Sequence, residues 1–101
     1  MIDDRAAIAE LARFSTPGDQ QVLRHYLYFP EEAGAASVVA ELQRRGFHTE
    51  QRLGADGVNW LVLARHEIVP TEASVLATRQ TMEALVGPCG GEYDGWEAEV
   101  T

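Results

Sequence analysis

Apolar residues recur along this chain with two different periods, and the switches between them predict its elements. Ala7, Ile8, Leu11 and Phe14 fall at helical spacing behind Asp3 or Asp4 as an N-terminal cap, which predicts a short helix over 3–14. Its apolar face is thin, so such a helix is stable only when packed on something else. Ser15-Thr16-Pro17-Gly18-Asp19 then stops it as a turn or linker. From Gln21 to Phe29 the period becomes two. Leu23, His25, Leu27 and Phe29 share one face of a strand, and Val22, Arg24, Tyr26 and Tyr28 share the other.

Pro30 ends that strand and is expected to open a helix running to Arg45, with Glu31 and Glu32 at its positive end. Ala35, Val38, Val39 and Leu42 form its buried stripe, and Gly46 stands where a helix-ending glycine belongs. In the next segment Phe47, Thr49 and Gln51 alternate with His48, Glu50 and Arg52, the pattern of a polar edge strand. Gly54-Ala55-Asp56-Gly57 reads as a hairpin loop. Asn59 to His66 is apolar on both faces and so belongs in the middle of a sheet. Pro70 and Thr71 introduce a last helix, with Thr71 as cap and Val75, Met82, Leu85 and Val86 as stripe. Gly87-Pro88-Cys89-Gly90-Gly91 ends it, and a closing strand follows.

This order predicts an α+β fold: a ferredoxin-like βαββαβ sandwich preceded by an N-terminal helix. Its four-stranded antiparallel sheet carries two helices on one face, with the first and third strands central. Residues 1–19 are then a helix and linker, and residues 20–101 one domain. The face away from the helices would carry Arg24, Tyr26 and Tyr28, with Trp60 or Trp96 beside them. Left open, an aromatic sheet face is an aggregation hazard. The N-terminal helix or a second copy of the chain is the expected cover, which leaves homo-oligomerisation open.

Composition narrows the functional classes. A chain of 101 residues makes one domain that buries roughly two-thirds of its unfolded surface. The net charge of −8 argues against direct binding to a phosphate backbone and suits a basic protein partner. No apolar run is long enough to span a bilayer, the start lacks a signal-peptide pattern, and the single cysteine forms no internal disulfide; the expected location is cytoplasmic. His25, His48 and His66 show no metal-ligand spacing, and Cys89 has no basic neighbour to activate it. Glu92, Asp94, Glu97 and Glu99 lack the calcium-loop pattern. The expectation is a non-enzyme without metal or cofactor.

The stretch Gly90-Gly91-Glu92-Tyr93-Asp94-Gly95-Trp96-Glu97 concentrates aromatics, acids and glycines just where a terminus would otherwise fray. It reads either as a strand that closes the fold or as an acidic, aromatic surface offered to a partner. Together with His25-Tyr26-Leu27-Tyr28-Phe29-Pro30, Arg45-Gly46-Phe47 and Trp60-Leu61-Val62-Leu63-Ala64, the Glu92-Tyr93-Asp94-Gly95-Trp96 ending resembles the regulators of ribonuclease E activity, type B. That resemblance spans about residues 20–99. It implies a ferredoxin-like protein that binds a ribonuclease E-type endonuclease outside its catalytic half and restrains RNA cleavage. The partner-binding candidates are then Glu92, Tyr93, Asp94, Trp96, Glu97 and Glu99. A ferredoxin-like module for an unrelated protein or small molecule is the alternative.

Overall fold

The structure is a computed structural model, and it describes residues 4–11 and 19–99. The elements are α1 (Asp4–Leu11), β1 (Gln21–Phe29), α2 (Glu32–Arg44), β2 (His48–Leu53), β3 (Trp60–Ile68), α3 (Glu72–Val86), a 3-10 turn (Gly87–Cys89) and β4 (Glu92–Ala98). The strands form one antiparallel sheet in the order β2-β3-β1-β4. β1 and β3 are central, as expected from the order of elements and, for β3, from its apolar content on both faces. The side chain of Leu11, with Asp3, Phe14 and residues 15–18, lies outside the described residues, so only Ala7 and Ile8 of the expected stripe can be placed. Both are half-buried on α1, which lies against α3.

Helix boundaries follow local chemistry. Pro30 sits in the bend before α2 instead of in its first turn, and Glu31 takes the extended cap position. Arg44 and Arg45 both reach back to Glu41, while Gly46 leaves the helix at φ +89°. At α3 the predicted Thr71 cap is reciprocal. Ser74 N donates to Thr71 Oγ1 at 3.0 Å, and Thr71 N donates to Ser74 Oγ at 2.8 Å. The Gly/Pro stretch after α3 is ordered: Cys89 is half-buried and packs against the core.

One core lies between the sheet and the two long helices. Leu27 and Phe29 of β1 and Val62 and Ala64 of β3 meet Ala35, Val38 and Leu42 of α2 and Met82 and Val86 of α3. Trp60 joins this side, opposite Phe29 and Leu53 and packed against the core; the expectation that it lies on the open face is corrected by its shared parity with Val62 and Ala64. The open face carries Arg24, Tyr26 and Tyr28, as expected. There Leu61 lies between Tyr28 and Arg52, and Leu63 between Tyr26 and Glu50. These two leucines are only 7% and 6% exposed, so neighbouring long side chains shield the apolar band. The described part of α1 is not the cover foreseen for this face, because its contacts lead to α3 and to the helix-side residue Trp96.

Candidate functional site

Strand β4 carries the candidate residues, and one irregularity decides where they point. Three positions apart on a regular strand, Tyr93 and Trp96 would face opposite sides. Instead Tyr93 lies opposite Leu27 and Trp96 opposite His25, so Asp94 and Gly95 both face the single residue Tyr26. This is a β-bulge, and Gly95 at φ +95° supplies the backbone conformation that it needs. Both aromatics are thereby turned to the helix-covered face, which corrects the expectation of Trp96 on the open face. Glu92 and Glu97 pair with Tyr28 and Arg24 on the open face, while Asp94 stays exposed in the bulge. The six candidates therefore do not form one patch.

Inside, the aromatics enter a polar chain. The Trp96 indole N–H donates to Asp4 Oδ1 at 3.1 Å. Arg79 donates to both oxygens of the same carboxylate, from Nε and from a terminal nitrogen, each at 2.7 Å. That fork holds the Asp4 carboxyl below its ordinary range and raises the Arg79 guanidinium further above its own. The guanidinium also lies 5.1 Å from the centre of the Tyr93 ring. The Tyr93 hydroxyl is 2.8 Å from His25 Nδ1, and His25 Nε2 is 2.9 Å from His66 Nε2. Phe47 stacks on His66 at 4.5 Å.

Burial sets the protonation of this chain. His25 is 1% exposed, and desolvation, with the charges of His66 and Arg79 behind it, pushes its pKa down to about 3. Burial lowers His66 as well and raises the Tyr93 phenol. Both imidazoles are thus neutral near pH 7, and one N–H bridges their Nε2 atoms. When His25 is the donor to His66, its Nδ1 accepts the Tyr93 proton; the opposite polarity reverses both bonds. This arrangement ties β1, β3, β4, α1 and α3 together. No group of three or more His, Cys, Asp or Glu side chains able to hold a metal ion occurs among the described residues. Sequence reasoning did not find Arg79, which stands on α3 among ordinary helix formers, and it saw Asp4 only as a helix cap.

On the open side the acids differ in how far they are engaged. Tyr26 donates its hydroxyl to Glu97, which also lies 3.4 Å from Arg24. Glu99 sits 2.7 Å from Arg65 and 3.7 Å from Arg24, and Arg65 holds its carboxyl below the usual range. Glu92 and Asp94, by contrast, make no hydrogen bond or ion pair among the described residues. They line a cleft of about 430 Å³ with Tyr28, Pro30, Asn59, Gly90 and Asp56. Asp56 is itself committed to the β2–β3 loop, accepting from the backbone of Val58 and Asn59 at 2.9 Å. Gly91 beside this cleft admits no side chain, since a Cβ there would lie 2.7 Å from the Tyr28 carbonyl oxygen.

No helix among the described residues is long and apolar enough to cross a membrane. Comparison with curated proteins finds no match, and comparison with solved structures finds none. The family model for regulator of ribonuclease activity B matches residues 2–98, nearly the whole chain, and includes the Tyr93-Asp94-Gly95-Trp96 bulge; the chain belongs to that family of ribonuclease regulators.

Proposed function

We propose that this regulator acts by binding a ribonuclease E-type endonuclease through the acidic open side of β4, and that it performs no catalysis itself. The observation that carries this reading is the pair Glu92 and Asp94, two carboxylates without hydrogen-bond or ion-pair partners among the described residues, beside Tyr28 in an open cleft. A guanidinium or ammonium group from a basic segment fits such a place by charge and by stacking. Glu97 and Glu99 extend the acidic edge, but Arg24, Arg65 and Tyr26 already engage them. Tyr93 and Trp96, the other two candidates, hold β4 and α1 in place beneath that surface. The net charge of −8 favours encounter with a basic partner. On this reading the framework is ferredoxin-like, the setting is cytoplasmic, and residues 1–19 form an appendage to a domain over 20–101.

The test is titration against full-length ribonuclease E from the same organism and against a form lacking its noncatalytic scaffold, at two salt concentrations. Binding that requires the scaffold, weakens with salt and falls on Glu92→Lys with Asp94→Lys supports the proposal. Equal, salt-insensitive binding to both enzymes sinks the mechanism. Absence of binding to either passes the argument to a module with another ligand.

A further inference from the structure

We propose that β2 is a self-complementary edge through which two copies of the chain join antiparallel into one continuous sheet. Among the described residues β2 ends the sheet, pairing with β3 alone, and does so over six residues without a bulge. Its outward backbone N–H and C=O groups have no partner among the described residues, the condition that makes an edge a template for another strand. The opposite edge, β4, is interrupted by the Asp94–Gly95 bulge, a common guard against such pairing.

The charge pattern selects the partner. Glu50 and Arg52 share the open face, on either side of Gln51, and both are exposed. Neither makes a hydrogen bond or close ion pair among the described residues, although Glu50 lies within electrostatic reach of Arg65 across the sheet. Two β2 strands related by a two-fold axis at Gln51 place Glu50 of each copy opposite Arg52 of the other. The complementary pair is therefore made twice. On the other face the same register sets Gln51 against Gln51 and Thr49 against Leu53, a leucine left 48% exposed in the single chain. Sliding the strands one residue pair either way puts Glu50 against Glu50 or Arg52 against Arg52. One register is thus favoured and its neighbours are penalised. This edge carries both signs of charge, spaced to match itself.

The test is sedimentation equilibrium of the full chain over a wide concentration range, for wild type, Glu50→Arg, Arg52→Glu and an equimolar mixture of the two variants. Wild type is expected to dimerise. Each variant alone sets like charges opposite each other twice and weakens the dimer by about tenfold or more. The mixture restores it, because each variant then meets its opposite. Circular dichroism of the exposed-site variants confirms that they remain folded. A monomeric wild type, variants that associate as well as wild type, or a mixture no tighter than its components would each overturn the proposal. None of these results depends on whether the chain binds a ribonuclease.

Discussion

The Trp96 indole N–H donates to Asp4 at 3.1 Å across 92 positions of sequence, joining the first described residue to the last strand. Trp96→Phe keeps the ring and loses this donor, so it should cost about 1–2 kcal/mol of stability, as for a bond to a charged acceptor. Trp96→Ala should cost about 2–4 kcal/mol, since packing is lost as well. Asp4→Asn removes the charge facing a largely buried Arg79 and should cost about 1–3 kcal/mol. Denaturant melts of the single and double variants check both the sizes and the coupling, which is expected to be clearly non-additive.

Acid should loosen the fold well above the carboxylate range. His25 has an ordinary pKa of 6.5 when unfolded and about 3 when folded, so between these values the unfolded chain binds more protons. Its contribution is fully present above about pH 6.5 and is lost progressively as pH falls toward 3, on the order of several kcal/mol in all. Chemical melts at successive pH values should show stability falling from pH 7 to pH 5. His25→Gln should flatten that slope. An unchanged slope in the variant would assign the effect elsewhere.

Gly95→Ala should destabilise by about 1–2 kcal/mol, because φ +95° is costly for any residue with a Cβ. Gly91→Ala should be worse, by about 2–4 kcal/mol, since its methyl group would meet both the Tyr28 carbonyl and the Phe29 ring. Thermal melts rank the two. The reverse order would mean that the β4 entry shifts more easily than its bulge.

Charge reversal should separate the engaged acids from the unengaged ones. Glu92→Lys and Asp94→Lys break no internal pair and should leave stability nearly unchanged while slowing association with a basic partner. Glu97→Lys and Glu99→Lys place a cation beside Arg24 and Arg65, so they should disturb the open face itself. Association kinetics at two salt concentrations, set beside melts of each variant, distinguish these outcomes.

Most of the strands and helices were legible because β1, β2 and the long helices each carry a clear period and β3 is a continuous apolar run. Leu23, His25, Leu27 and Phe29 alternate without exception, and Thr71 precedes its helix where a cap should be. The bulge was not legible in the same way. Asp94-Gly95 resembles a turn or an ordinary glycine, and only pairing with Tyr26 reveals an extra residue. That ambiguity misplaced Trp96. Trp60 was misplaced too, because a strand apolar on both faces does not show which face a given residue takes. Its pairing with Phe29 and Leu53 puts it on the helix side. The Asp4–Arg79 fork lay beyond reach for another reason: its partners stand 75 positions apart, and no local pattern links them. His25 was visible on an apolar face, but its pairing with His66 follows from strand neighbours and not from spacing.

The Asp94–Gly95 bulge also gives the C-terminal strand one place where its length can change without turning it over. Removing one residue between Tyr93 and Trp96 while keeping both neighbours in register would restore strict alternation. Trp96 would still face the helices and Glu97 would still face outward, because the residue lost is the extra one. A codon lost at any other point of the strand exchanges the inner and outer halves beyond it. The bulge is thus a spare position, and its neighbours are not.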